Sequence, residues 1–283
     1  MSTVYLNGDF IPQEQAVVSV MDRGFLFGDG VYEVLPVYKG KIFRFEHHIN
    51  RLYHSLKSIK LSISLVTEDW RKIFEKLLEL NSHLGKNQSI YLQVTRGPAP
   101  ERNHAFPKQI NPTIFVFSYP LKTLPMEVLS KGMSAITLED SRWQFCNIKA
   151  TSLLSNVLLY QQAIDQGLVE AILIRNGEAV EGSTSNLFIV KNQIIQTPPL
   201  SNHILGGVTR DLVLELAKKD QLPCEEKPVS LAALYDADEV WITSSTREIY
   251  PIIKVDDKTI NQGVPGNIWH KMIQNYHNFI NNL

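Results

Sequence analysis

The spacing of apolar positions changes several times along the chain, and each change marks an element. Short apolar runs flank Asn7-Gly8 in VYLNGDFIP and Lys39-Gly40 in VYEVLPVYKGKIFRF, which predicts two hairpins. The period then lengthens in EHHINRLYHSLKSIKL, where Ile49, Leu52, Leu56 and Ile59 recur at helical spacing and form one buried stripe. Arg51 lies beside that stripe, either exposed or aimed at a pocket. A second helix is predicted over Glu68 to Leu84, with Trp70, Ile73, Leu77 and Leu80 as its apolar face. NQSIYLQVTRG and NPTIFVFSYPL read as strands. The loop between them, PAPERNHAFPKQI, carries Arg102 and His104 between prolines.

The period is lost in PLKTLPMEVLSKG, whose prolines mark a linker at 119–131. Beyond it MSAITLED reads as a strand and SLLSNVLLYQQAIDQG as a helix ending at Gly167. VEAILIRNGEAVEGSTSNLFIVKNQIIQTP is a β meander with Asn176-Gly177 as a hairpin turn. In ILGGVTRDLVLELAKKD two glycines lead into a helix whose stripe is Leu212, Val213, Leu216 and Ala217. VSLAALYDADEVWITSSTREIYPIIKVDDKTI holds a short helix, a buried strand from Glu239 to Thr243, a hydroxyl cluster and a final strand. The tail from Gly266 is helical in pattern. Strands in groups with helices between them predict an α+β protein, not one doubly wound sheet. The expected organisation is an N-terminal domain over 1–118, the linker, and a larger C-terminal domain over 132–283.

Composition narrows the class. The 283 residues, 44% hydrophobic and 20% charged, suffice for two medium cores. A net charge of −1 leaves no basic footprint for nucleic acid or an anionic membrane. Cys146 and Cys224 form neither a CxxC pair nor a disulfide framework, and MSTVYLNGDF lacks a signal-peptide pattern, so a reducing cytoplasm is expected. No apolar run approaches the ~18 residues of a membrane span. GFLFGDG misses the dinucleotide spacing, and P-loop, HExxH, GxSxG and metal-spaced Cys/His patterns are absent, so no metal is expected. The adjacent His47 and His48 point in different directions on a helix and read as a solvated face.

Four stretches could carry chemistry. GGVTRD (206–211) is either a helix start suited to a phosphate or an ordinary one capped by Thr209. TSSTRE (243–248) follows a buried strand and is either an anion lip or a Ser/Thr-rich turn. VEGSTSN (180–186) places Glu181 among hydroxyls, as a structural ion-pair partner or as a carboxylate for a protonated ring nitrogen. FCNIKATSLL (145–154) embeds Lys149 in mostly apolar and small residues, where a lysine is rare unless paired or used. Arg102 can bind a carboxylate in a bidentate fork. Taken jointly, one amine, one hydroxyl-flanked acid and two phosphate-suited segments match the needs of pyridoxal phosphate.

The chain here resembles the class IV pyridoxal-phosphate aminotransferases, and among them the D-amino acid transaminases. The motifs are DRGFLFGDGVYEV (22–34), EHHINRLYHSLKSIKLSI (46–63), YLQVTRGPAPERNHAFP (91–107), EDSRWQFCNIKATSLL (139–154), EAILIRNGEAVEGSTSNLF (170–188), ILGGVTRDLV (204–213) and VWITSSTREIYPI (240–252). The resemblance implies fold type IV, with the cofactor between a smaller N-terminal and a larger C-terminal domain. It implies that Lys149 holds the cofactor aldehyde as an imine and moves the substrate proton, with Glu181 on the pyridine nitrogen. Arg51, the backbone of Val208 and Thr209, and Ser244, Ser245 and Thr246 would hold the phosphate. Tyr32, Arg102 and His104 would trap the substrate carboxylate, Tyr91 and Trp143 would line the pocket, and the loop of Arg102 and His104 would come from the partner in a homodimer. The implied reaction is ping-pong transfer between a D-alanine-like donor and 2-oxoglutarate or pyruvate. A branched-chain L-amino acid aminotransferase or an aminodeoxychorismate lyase of the same fold is the alternative. The chain departs from the pattern beside the lysine, with Asn147 for an acid and Ala150 for serine.

Overall fold

In the computed structural model, which describes residues 2–109 and 111–283, the chain folds as two units. One comprises Met1–Lys122 with Ile148–Leu153, the other Thr123–Asn147 with Leu154–Leu283. Ile110, in the proline-framed loop, lies outside the described residues.

The first unit is built on a six-stranded antiparallel sheet in the order β2-β1-β6-β5-β3-β4. Its strands are β1 (Thr3–Leu6), β2 (Asp9–Pro12), β3 (Gly30–Tyr38), β4 (Lys41–Ile42), β5 (Gln88–Thr95) and β6 (Thr113–Pro120). The helices are α1 (Arg23–Phe27), α2 (Phe45–Ser58) and α3 (Thr67–Leu80). Val31, Leu35 and Val37 of β3, Ile90, Leu92 and Val94 of β5, and Val116 of β6 pack with Ile49, Leu52 and Leu56 of α2 and Trp70, Phe74 and Leu77 of α3 in one core. Because strand side chains alternate, Tyr32 and Val34 lie on the opposite face of β3.

The helix predicted over 68–84 ends at Leu80, and a single tight turn, Ser82–Leu84, follows. Asn81 stops it: its buried side chain accepts from the Thr3 N–H and donates to the Thr3 carbonyl and Ser118. Leu80 is 39% exposed, outside the core, and Phe74 joins Trp70, Ile73 and Leu77 on the buried face. The segment 148–153, expected in the C-terminal domain, makes its contacts in the first unit. Ala150 bridges Val31, the Tyr32 N–H donates to the Lys149 carbonyl (2.9 Å), and the Thr151 N–H donates to the Gly30 carbonyl (3.0 Å). Backbone pairing thus extends the sheet at the start of β3.

The second unit holds a mixed ten-stranded sheet in the order β12-β11-β10-β14-β15-β7-β8-β9-β13, with β16 on β15. Its strands are β7 (Met133–Glu139), β8 (Glu170–Arg175), β9 (Glu178–Gly182), β10 (Asn186–Lys191), β11 (Ile194–Thr197), β12 (Cys224–Glu226), β13 (Val229–Ser230), β14 (Glu239–Ser244), β15 (Glu248–Val255) and β16 (Lys258–Thr259). Its helices are α4 (Met126–Leu129), inside the predicted linker, α5 (Leu154–Ile164), α6 (Val208–Lys219), α7 (Leu231–Tyr235) and α8 (Asn267–Asn281). The turn at Asn176-Gly177 has positive φ at both residues, the hairpin geometry that pair favours. Leu212, Val213, Leu216 and Ala217 of α6 are buried, as the stripe predicts. Among the described residues no helix is long and apolar enough to cross a membrane.

Candidate active site

In the first unit the geometry starts from β3. Alternation puts Glu33 on the helix-facing side, between Val31 and Leu35, where a carboxylate must find partners. It finds two on α2. Glu33 Oε1 accepts from Arg51 Nε at 2.7 Å, and Oε2 accepts from Arg51 Nη2 at 2.8 Å and pairs with His48 Nδ1 at 2.8 Å. Burial pushes the Glu33 carboxyl up, but the Arg51 charge and the hydrogen bonds of Arg51 and His48 outweigh it and hold the group down at about 2. Burial likewise keeps His48 neutral, down at about 4. The reading of His48 as part of a solvated face is therefore corrected: it stands three residues after Phe45 and four before Leu52, inside the buried stripe, while His47 faces out. Arg51, beside the stripe, is pinned by the bidentate pair.

The other face of β3 carries Tyr32, stacked on Tyr91 of β5 at 5.7 Å between ring centroids. Tyr91 continues to Phe117 of β6 at 5.1 Å, so that face is an aromatic row. Burial first, then the neighbouring Tyr32, pushes the Tyr91 hydroxyl up to about 12. Lys149 is half-buried, with Nζ 4.3 Å from the centroid of the Tyr32 ring. The pairing of 149–151 with β3 fixes this placement, and the Lys149 N–H donates to Ser55 Oγ of α2. Lys149, Tyr32 and Tyr91 are thus brought together. Arg102 and His104 are exposed, both against Phe27: the Arg102 guanidinium lies 4.9 Å from its ring and the His104 ring 5.3 Å.

In the second unit Glu181 lies on β9, 4% exposed. Its Oε1 accepts from Arg142 Nη1 at 2.6 Å, and its Oε2 accepts from Asn186 Nδ2 and the Leu205 N–H, both at 3.1 Å. Burial outweighs the Arg142 charge and the hydrogen bonds from Arg142 and the Leu205 N–H and pushes the Glu181 carboxyl up to about 7. A carboxylate offers about four acceptor sites, so three donors leave room for one more. Arg142 is held in turn by Asp140, which also pairs with Arg175.

Asn186 joins the acid to both phosphate-suited segments. It pairs with Thr243 across β10 and β14, and its Oδ1 lies so close to the Cα of Gly207 that a Cβ there would collide with it. Gly207 is the cap residue of α6 and no side chain caps that helix, which corrects the reading of Thr209 as its N-cap. Thr209 stands inside the first turn with Val208, both buried, and its Oγ1 has no partner among the described residues. A helix start without a side-chain cap and with an orphaned hydroxyl fits an anion. Ser244, Ser245 and Thr246 form the half-buried turn that leaves β14. Glu170 secures it from below: Thr184 Oγ1 and Ser185 Oγ donate to its Oε2 at 2.8 Å, Ser183 donates to its Oε1, and Arg247 Nη1 pairs with its Oε2 at 3.0 Å. Trp143 is 47% exposed, its ring edge-on to Phe145.

Sequence reading missed Glu33, His48, Arg142, Asn186 and Glu170. Two of them left a trace. Glu33 is the one charge on the core face of an alternating strand, and His48 occupies a stripe position. Arg142 and Glu170 act on partners elsewhere in the chain, and Asn186, inside VEGSTSN with Glu181, shows its role only through Leu205 and Thr243.

The family described as Amino-transferase class IV matches residues 30–255. A D-alanine aminotransferase of Bacillus licheniformis is 40% identical over 263 residues, covering 93% of this chain and 92% of that protein. One from Staphylococcus epidermidis is 38% identical over 281 residues, covering 99% and 98%. Among solved structures, the branched-chain amino acid aminotransferase of Escherichia coli superposes with a TM-score of 0.91 at 25% identity, covering 99% of this chain and 94% of that one. The branched-chain amino acid aminotransferase of Thermoproteus uzoniensis, solved with norvaline, gives 0.87 at 26% identity, with the same coverage. Another branched-chain enzyme, solved with pyridoxamine 5'-phosphate, gives 0.91 at 26%.

Proposed function

The chain belongs to the class IV aminotransferases, and from that premise we propose that it is a D-amino acid transaminase of fold type IV. It moves an amino group between a D-alanine-like donor and a 2-oxo acid, 2-oxoglutarate or pyruvate, in two half-reactions. The observation that carries the reading is the amine of Lys149, held over the Tyr32 ring by backbone pairing with β3. Identity favours D-substrates: D-alanine aminotransferases match at 38–40%, against 25–26% for the branched-chain enzymes. A branched-chain or aminodeoxychorismate activity on this fold remains the second reading.

Pyridoxal phosphate is the proposed cofactor. The residues that would hold it are Lys149, Glu181, Arg51, the backbone of Val208 and Thr209, and Ser244, Ser245 and Thr246. Two features support the fit: the orphaned Thr209 hydroxyl at an uncapped helix start, and the acceptor site left on Glu181. When bound, the cofactor supplies an aldehyde that condenses with amines and a ring that accepts the electron pair freed at the substrate α-carbon. Lys149 Nζ would take the proton from that carbon and deliver it to the cofactor carbon that carried the aldehyde, and the second half-reaction would run the transfer in reverse. Glu181 would accept the hydrogen bond of the ring nitrogen and keep it protonated, with Arg142 holding Glu181 in place. Tyr32, Arg102 and His104 bind the substrate carboxylate, and Tyr91 and Trp143 line the pocket. The exposed Arg102 and His104 would serve the partner's site in a homodimer. A cytoplasmic home accords with the free Cys146 and Cys224.

The test is a rate comparison on the purified holoenzyme with 2-oxoglutarate as acceptor. D-alanine is expected to react and L-leucine to fail. Turnover of L-leucine with none of D-alanine would replace the reading with the branched-chain one.

A further inference from the structure

Resting on the reading of Arg102 and His104 as carboxylate binders, we propose that Arg23 is the positioning residue that sets their loop, through a buried two-arginine cluster on Asp29. Among the described residues the loop between β5 and β6 has no helix or strand, yet two guanidiniums grip it. Arg23 is 4% exposed and opens α1. Its Nη1 donates to the carbonyls of Asn103 and Ala105, and its Nη2 to the carbonyl of His104 at 3.3 Å. Three successive carbonyls on one fork fix the backbone on either side of His104.

Arg23 is itself held from behind. Its Nε donates to Asp29 Oδ2 at 2.8 Å. Arg96 Nε donates to the same oxygen at 2.8 Å and its Nη2 to Oδ1 at 3.0 Å. Burial raises the Asp29 carboxyl, but the hydrogen bonds and charges of Arg96 and Arg23 prevail and hold it below its ordinary range. Arg96 carries the next grip, its guanidinium 3.7 Å from the centroid of the Phe106 ring. Phe27 completes the brace, with Arg23 at 4.7 Å on its ring beside Arg102 and His104. The start of α1 is anchored in turn, since Asp22 accepts from the Gly24 N–H and from Thr95 Oγ1, both at 2.7 Å. Arg102 and His104 are therefore exposed side chains on a backbone fixed by buried charge. Such an arrangement suits binding a carboxylate with little ordering left to do.

The test compares Arg23→Gln, Arg23→Lys, Arg102→Ala and the double variant Arg23→Gln/Arg102→Ala as holoenzymes. The readouts are KM and kcat for D-alanine, and the single-turnover rate of cofactor bleaching by (R)-1-phenylethylamine, which has no carboxylate. Arg23→Gln is expected to raise KM for D-alanine about tenfold or more, the effect of one lost charge-assisted hydrogen bond. Its rate with the carboxylate-free amine should equal that of the unaltered enzyme. The double variant should be little worse than Arg102→Ala alone. Arg23→Lys keeps the charge on Asp29, and so the fold, but lacks the fork, and should raise KM severalfold. Loss of both reactions in proportion would make Arg23 merely structural and overturn the proposal. So would a KM moved by Arg102→Ala but by neither Arg23 variant, which would leave the functional reading intact. A KM untouched by Arg102→Ala would overturn the carboxylate reading itself and this inference with it.

Discussion

Glu33→Gln removes the negative charge that Glu33 turns to Arg51 Nε and His48 in the core of the first unit, with little change of shape. Two routes give the magnitude. The Glu33 carboxyl sits at about 2 against an ordinary 4.5, and at about 1.4 kcal/mol per tenfold that gap is about 3 kcal/mol. Breaking a buried ion pair by deleting one partner costs about 3–5 kcal/mol, because a buried charge is left behind. The sign sets the pH window. A carboxyl held below its unfolded value stabilises above about 4.5, and the contribution drains away as pH falls toward about 2. His48 adds loss in the same direction, since a histidine kept neutral down to about 4 stabilises above 6.5 and less below. The assay is urea unfolding of the apoprotein at pH 7 and pH 4, followed by amide exchange of peptides spanning 30–58, which reports this unit alone. The variant should be about 3 kcal/mol less stable at pH 7, with the gap about 1 kcal/mol smaller at pH 4. A variant as stable as the parent at pH 7, or a gap that does not narrow, would refute the assignment of Glu33 as the keystone of the triad.

In the second unit, Arg142→Met removes the cation on Glu181, whose carboxyl should then titrate above about 7 in carbon-13 NMR of the apoprotein; an unmoved titration would show that Arg142 does not set it. Thr209→Val deletes a buried hydroxyl without a partner, so the apoprotein should unfold at an equal or higher temperature while affinity for pyridoxal phosphate falls about tenfold. An undiminished affinity would take Thr209 out of the phosphate site.

What the sequence shows of this protein depends on how local the cause is. The hairpins at Asn7-Gly8 and Asn176-Gly177 and the stripes of α2 and α6 follow from neighbouring residues, and pattern finds them. The helix end at Leu80 does not, because it depends on Asn81 meeting Thr3 and Ser118 from elsewhere in the sheet. The same holds for Lys149. Its apolar company raises a suspicion, but its place over Tyr32 comes from pairing between 149–151 and the start of β3, a contact between segments far apart in the chain. The acid is legible through its hydroxyl neighbours. Its charge state is not, since its burial and the approach of Arg142 and the Leu205 N–H come from other parts of the chain. Thr209 shows the limit from the other side: a cap and an anion ligand share one local sequence, and only the cap position of Gly207 and the unpartnered Thr209 hydroxyl separate them.

The most direct measurement addresses Lys149. Borohydride treatment of the holoenzyme, followed by digestion and mass spectrometry, marks the lysine that holds the cofactor. The predicted result is one pyridoxyl-bearing peptide, the one containing Lys149, with marking suppressed when D-alanine is added first and kept when L-leucine is added. Marking of a different lysine, or protection by L-leucine and not by D-alanine, would contradict the assignment of this chain as a D-amino acid transaminase acting through Lys149.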